Sequence, residues 1–128
     1  MKYLCLVYGE EAKIASMDDR HCLAADAALR ASGHCVASEA LQPVATATTL
    51  RHRNGQLQIT DGPFAETKEA LAGFYLIEAA DLDEAIEQAA KIPPVEVGCI
   101  EIRPIRPIRE SPRIPSQDAA GIPSSGDR

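Results

Sequence analysis

The run Gly73-Phe74-Tyr75-Leu76-Ile77-Glu78-Ala79 decides the fold. Side chains alternate across a strand, so Tyr75 and Ile77 share one face while Phe74 and Leu76 share the other. A strand apolar on both faces lies inside its sheet and is covered twice. Just beyond it, Asp81 stands as a helix N-cap with Glu84 three residues on, in capping-box position. Leu82, Ala85, Ile86 and Ala89 then recur at helical spacing, and Pro93-Pro94 ends the run. Gly98 to Arg103 reads as a last strand. Ile100 and Ile102 point one way, and Cys99, Glu101 and Arg103 point the other.

Upstream, Lys2 to Tyr8 reads as a buried first strand. Asp18 to Ser32 is helical and Ala-rich, with Cys22, Ala25 and Leu29 on one face, Asp18 or Asp19 as N-cap and Gly33 as the stop. His34 to Leu41 alternates as a strand and is interrupted at Pro43. Ala45 to Arg53, rich in Thr, is the next strand. Asn54-Gly55 follows with the strongest hairpin signal in the chain, since both residues tolerate positive φ, and Gln56 to Thr60 returns with Leu57 and Ile59 on one face.

This order predicts an α+β class: a ferredoxin-like βαββαβ sandwich with an extra hairpin, two helices lying on one face of an antiparallel sheet. The isoleucines of the last strand belong under the helices. The opposite face then carries Glu101 and Arg103 beside one apolar side of the Gly73–Ala79 strand, which cannot be left to water. A second sheet packed there satisfies it, so a homodimer is expected. The chain divides into an α+β domain over residues 1–105 and a flexible tail over 106–128. There Pro107, Pro112, Pro115 and Pro123, with Ser, Gly and Arg between them, cannot supply a core. The tail is either solvated chain or an arm reaching a partner.

The chain has 128 residues, enough for one core, and is 45% hydrophobic but only 4% aromatic, without Trp, so the core must be built from Leu, Ile, Val and Ala. Residues 1–103 hold 9 Lys and Arg against 16 Asp and Glu, a net of -7, while residues 104–128 hold 4 against 3, a net of +1. An acidic body argues against direct nucleic-acid binding and against anionic membranes. The first apolar run is too short for an export signal or a membrane span, which makes the cytoplasm the expected location. Cys5, Cys22, Cys35 and Cys99 form no Cys-x-x-Cys pair and are expected as small, reduced core residues.

No Gly-x-Gly-x-x-Gly, phosphate-binding loop or nucleophile elbow occurs, so no cofactor is expected. His34 and His52 have no ligand partners at metal-binding spacing, and no metal site is expected. The polar chemistry gathers instead at Asp61-Gly62-Pro63-Phe64-Ala65-Glu66-Thr67-Lys68-Glu69, which breaks the strand before it. Asp61 can bond nearby backbone N–H groups as turn architecture, or face a pocket as a general base. Gly62 permits close approach, Pro63 fixes φ, and Phe64 can anchor the loop in apolar surface. Lys68 either balances Glu66 and Glu69 or holds an anionic substrate. His21 lies about 70° off the apolar face of its helix, at 100° per residue, where a cleft edge could reach it. Cys22 points about 100° away from it, which argues against a nucleophile–base pair.

Three stretches together resemble one family. They are Met1 to Gly9; Asp61 to Glu69 running into Ala72-Gly73-Phe74-Tyr75-Leu76-Ile77; and Asp81-Leu82-Asp83-Glu84-Ala85, closing with Ile92-Pro93 and Glu101-Ile102-Arg103-Pro104-Ile105. The chain is similar over about residues 1–105 to the YCII-related proteins, in the branch named for its Asp-Gly-Pro-Phe (DGPF) motif. The resemblance implies a ferredoxin-like subunit paired into a dimeric α+β barrel. It also implies a bacterial protein of a branch often found near genes for extracytoplasmic-function sigma factors. Better-understood relatives carry a His–Asp pair suited to acid–base chemistry. This chain departs from them: His21 lies about where a relative's His falls, and Ala89-Ala90-Lys91-Ile92-Pro93 stands where relatives place the Asp.

The expected function is a small-molecule-binding or enzymatic domain with its cleft between the open sheet face and the Asp61–Glu69 loop. Asp61 is the candidate for acid–base work with His21 assisting. Lys68, Phe64, Arg103 and Glu101 are the candidates for substrate binding. The alternative is a regulatory accessory acting through protein contacts, with a sigma factor as the implied partner.

Overall fold

The computed structural model describes residues 1–108, so the reading of the tail lies mostly outside the described residues. A four-stranded antiparallel sheet forms in the order β2-β5-β1-β6 from β1 (Lys2–Gly9), β2 (Cys35–Ala40), β5 (Ala70–Glu78) and β6 (Gly98–Pro104). Helices α1 (Glu11–Ala15), α2 (Asp19–Ala31) and α3 (Leu82–Ala89) complete the body. The two central strands are β1 and β5, whose segments carry apolar residues on both faces. This arrangement is a ferredoxin-like α+β fold.

Register decides which side chains meet. Tyr3 lies opposite Ile77, Cys5 opposite Tyr75 and Val7 opposite Gly73, while on the other side Cys5 faces Ile102 and Val7 faces Ile100. These residues form the helix-covered face. Tyr3, Cys5, Val7 and Ile77 pack with Leu29 of α2, Ala85 and Ala89 of α3, and Ile92. Alternation sends Leu4, Leu6 and Tyr8 of β1, with Phe74 and Leu76 of β5, to the opposite face, where they are only half-buried. Glu101 and Arg103 stand exposed on that face opposite Leu6 and Leu4, on the side the alternation predicted.

Both principal helices start on the predicted caps. Asp18 accepts from the Arg20 backbone N–H at 2.8 Å, and Asp81 accepts from the Glu84 N–H at 2.9 Å. Glu84 returns its carboxylate to the N–H of Ala80 at 2.6 Å, so the capping box closes one residue early. The buried stripe of α3 differs from the one expected. Ala85, Gln88 and Ala89 are buried, while Leu82 and Ile86 are each 49% exposed. The alanines let this helix settle closely on the sheet, and that approach turns the two larger residues outward. The short helix α1 was not foreseen, being a single turn-and-a-half with no buried residue to impose a period.

Two further boundaries moved. Val44–Thr46 is a 3-10 turn, so β3 begins at Thr48 rather than Ala45 and runs to Arg53. The strand β4 covers Gln56–Asp61, and the two pair only with each other as a separate two-stranded sheet. The extra hairpin therefore does not extend the main sheet. Its turn is the expected one, with φ of 53° at Asn54 and 75° at Gly55. The thiols also divide differently from the expectation: Cys5 is buried and Cys22 and Cys35 partly so, but Cys99 is exposed on the open sheet face.

Candidate functional site

A cavity of about 620 Å³ lies at the end of the open sheet face, under the loop that follows β4. Three segments wall it. Tyr8 and Leu71, opposite one another in the register, supply the floor. Leu41 to Ala47, leaving the edge strand β2, supplies one side, and Pro63 to Ala70 the other.

Short hydrogen bonds fix these walls. The Leu41 N–H donates to the Ala72 carbonyl at 2.8 Å, and the Val44 N–H donates to the Glu11 carboxylate at 2.7 Å, which gives α1 its purpose. The hairpin holds the loop by its backbone. The Gly62 N–H reaches the Ala47 carbonyl at 2.7 Å, Thr49 Oγ1 donates to the Gly62 carbonyl at 2.7 Å, and Arg51 Nη2 donates to the Phe64 carbonyl at 2.8 Å. Gly62 sits at a φ of 115°, a conformation closed to residues with a side chain at low cost. The Asp-Gly-Pro-Phe stretch is thus a fixed turn whose anchors are main-chain atoms.

The polar groups at the wall differ in what they have left to give. Thr46 and Thr67 spend their hydroxyls on the carbonyls of Pro43 and Glu69, each at 2.6 Å. Tyr8 makes no side-chain hydrogen bond among the described residues. Among the described residues the Glu69 carboxylate receives only a long contact from the Cys99 thiol, 3.8 Å from Oε1. Burial first, and then the Glu69 and Glu101 carboxylates, push the Cys99 thiol upward, so it stays protonated at neutral pH. The cavity therefore offers apolar walls, one phenol, the Gln42 amide and one carboxylate.

The residues singled out from sequence distribute unevenly around it. Phe64 lines the cavity and is 77% exposed, so it does not anchor the loop in apolar surface as expected. Asp61 ends β4 opposite Thr48, exposed and outside the lining. Lys68 is exposed too, its ammonium 3.9 Å from Glu10. Glu101 and Arg103 lie further along the open face, outside the lining. His21 is exposed in the first turn of α2, on the helix side of the sheet, so it and Asp61 share no cavity. Tyr8, Glu69 and the 41–47 segment were missed. In sequence Tyr8 reads as one more residue of an apolar strand, and Glu69 as a charge balancing Lys68.

A second cavity, about 430 Å³, opens on the helix side between α2 and the strands β2 and β5. Of its three carboxylates, Asp19, Asp26 and Glu39, Asp26 is already paired. Asp26 accepts from Ser38 Oγ and, at 3.0 Å, from Arg30 Nε, and Arg30 Nη2 also reaches Ser38 at 3.2 Å. The Ser38 bond, followed by Arg30, holds the Asp26 carboxyl below its usual range, while burial and then Asp26 push the nearby Tyr75 phenol up to about 12. The cluster clamps α2 to the edge strand. Among the described residues no group of three or more His, Cys, Asp or Glu is placed to hold a metal ion, and no helix is long and apolar enough to cross a membrane.

The model of the YCII-related domain matches residues 1–109. This chain belongs to the YCII-related family. A curated relative, the uncharacterised protein R00369 of Rhizobium meliloti (strain 1021), is 49% identical over 67 residues, which are 51% of this chain and 54% of the relative. The chain thus spans about half the length of the curated relative it matches. Membership agrees with the ferredoxin-like arrangement of the body and carries no reaction with it.

Proposed function

We propose that this YCII-related chain, of the DGPF branch, is a small-molecule-binding subunit that takes its ligand in the cavity under the Pro63–Ala70 loop. The observation that carries the reading is a cavity of about 620 Å³, mainly apolar, in which a phenol, an amide and a carboxylate have no short hydrogen-bond partner among the described residues. Tyr8 and Glu69 would orient a compact, largely apolar molecule that offers Glu69 a hydrogen-bond donor or a positive group. Glu69 lines the cavity and Asp61 does not, so any acid–base step falls to Glu69 with Tyr8. A second copy pressed on the open sheet face would cover Leu4, Leu6, Phe74 and Leu76, placing the cavity at the margin of a homodimer. The glutamates and Arg103 at the rim suit an isologous contact, in which each side offers both signs.

The test is a thermal-shift screen of a metabolite library against wild type, Glu69→Gln, Tyr8→Phe and Asp61→Ala. A ligand at ~100 times its dissociation constant adds about 2.7 kcal/mol, several degrees for a domain of this size. The expected result is a hit weakened by Glu69→Gln or Tyr8→Phe, with unliganded midpoints unchanged, and retained by Asp61→Ala. A hit lost only in Asp61→Ala would move the site off the cavity. No hit across a broad library would abandon the ligand reading for a regulatory module that works through protein contacts.

A further inference from the structure

The helix-covered face of the sheet thins out in one row. Val7 of β1, Gly73 of β5 and Ala40 of β2 stand side by side across three strands, and the last two bring almost no side chain. Gly73 has no room for more: a Cβ there would stand 2.7 Å from the Glu39 carbonyl oxygen, so the close pairing of β2 keeps this row thin. Above it, α2 is held to the core by Leu29 in its last turn, the one residue of that helix that is buried. The earlier turns stand clear of the sheet, and the space beneath them is the cavity of about 430 Å³. Asp19, Cys22, Leu23 and Asp26 line it together, at the i, i+3, i+4 and i+7 spacing of a single helix face. The Tyr75 phenol and the Cys22 thiol also line it, and neither side chain makes a hydrogen bond among the described residues. Burial, and then Asp19 and Asp18, push the Cys22 thiol up, so it stays neutral beside the neutral phenol.

We propose that this helix-side cavity is a binding site for an apolar amine, its ammonium group at the Asp19 end of α2 and its body over the Val7–Gly73–Ala40 row. The shape of the site asks for an apolar body. Ile14, Met17 and Leu23 wall it, and Leu23 is left 68% exposed at its rim. The charge asks for a cation. Both arginines of α2 are engaged, Arg20 with Asp18 at 2.8 Å and Arg30 with Asp26 at 3.0 Å. Asp19 and Glu39 have no side-chain partner among the described residues, so the negative charge left over at the cavity is theirs. An anion is repelled there, and a neutral molecule gains nothing from it. The phenol oxygen accepts the ammonium protons that the carboxylate does not take. The sheet itself separates this cavity from the one under the loop: Val7 and Ala72 line the first, and their chain neighbours Tyr8 and Leu71 line the second. The proposal therefore stands whether or not the loop cavity takes a ligand.

The closing experiment titrates tryptamine, tryptophol and indoleacetate, which share one body and differ in charge, into the full isotope-labelled chain and follows its backbone amides by NMR. Tryptamine is expected to shift the amides of Asp19, Cys22, Leu23 and Gly73 saturably. It should bind about tenfold more tightly than tryptophol, as a hydrogen bond to a charged group predicts, while indoleacetate fails to saturate. Asp19→Asn should reduce that preference to below about threefold, and Asp19→Glu should keep it. Asp19 is exposed and off the core, so both variants keep the wild-type spectrum. Equal binding of tryptamine and tryptophol, or a preference untouched by Asp19→Asn, overturns the proposal. Shifts confined to Tyr8, Glu69 and Leu71 seat the amine under the loop, which overturns this site and supports the other. No saturable shift at any of these amides up to millimolar tryptamine also overturns it, and leaves the loop cavity to its own screen.

Discussion

The chain builds two sheets from the same kind of pattern and treats them in opposite ways. In β1 and β5 of the body, one face is driven under the helices until Cys5 and Ile77 lose all contact with water, and the other face is half-covered. In the hairpin β3–β4, the same alternation leaves its isoleucine and leucines more than half exposed. Alternation fixes which side chains share a face, but not what meets that face. The body has helices with small residues, Ala85 and Ala89, that can approach its sheet closely. The hairpin has only its own loop, and it meets that loop with Thr49 and Arg51.

The sharpest way to test this contrast is to remove the same atoms from each sheet. Ile77→Ala should cost about 2–5 kcal/mol in urea unfolding, the usual loss for a fully buried isoleucine. Ile59→Ala, at concentrations low enough to keep the chain monomeric, should stay within about 0.5 kcal/mol of wild type. Equal losses would mean that the hairpin belongs to the core and that the contrast is false.

A smaller effect separates the two aspartates that follow strands. Asp81 caps α3 through the Glu84 N–H, whereas Asp61 sits at the end of β4 with its neighbours' main-chain atoms holding the turn. Asp81→Ala should cost about 0.5–2 kcal/mol. Asp61→Ala should be nearly silent in the same thermal or urea measurement. A large loss at Asp61 would return the carboxylate to the architecture of the turn.

Much of the body could be read from the residues before any coordinates. The two faces of the Gly73–Ala79 strand, the outward Glu101 and Arg103, the caps at Asp18 and Asp81, and the Asn54-Gly55 turn all follow from local rules whose determinants lie within a few residues. What escaped depends on distant partners. The rotation of α3 follows from how closely its alanines approach the sheet. The detachment of the hairpin follows from what it fails to meet. The site was half legible: the loop and Phe64 stood out, but Tyr8 and Glu69 acquire meaning only when register and loop bring them to one cavity.

The clamp between α2 and β2 gives a pH-dependent form of the comparison, since nothing like it secures the hairpin. The folded Asp26 carboxyl is held below its ordinary value by Ser38 and then Arg30. Its contribution is therefore present above the unfolded pKa, near 3.9, and is lost as pH falls through the lower folded value. Ser38→Ala should raise the Asp26 pKa toward the ordinary carboxylate value and shrink the stability lost on acidification. The pH dependence of urea unfolding between about pH 5 and 2, beside an NMR titration of the Asp26 carboxyl, would show it. An unmoved Asp26 titration in Ser38→Ala would leave Arg30 as the group that sets it.

The smallest expected effect belongs to the most conspicuous charge in the loop. Lys68 is the cation that the sequence offers for an anionic substrate, yet its ammonium stands 3.9 Å from Glu10, and the chain at its position is exposed. An exposed pair of that length contributes about 0–1 kcal/mol, and long side chains lose entropy in holding it. Lys68→Ala should therefore shift stability by less than about 0.5 kcal/mol and leave the affinity of any cavity ligand unchanged. The cavity's own charge is Glu69, so an anion would be repelled there and Lys68 would be asked to overcome that repulsion from outside the wall. A Lys68→Ala chain that binds tenfold more weakly would reverse the sign assigned to the ligand, and would give the loop a role in selecting anions.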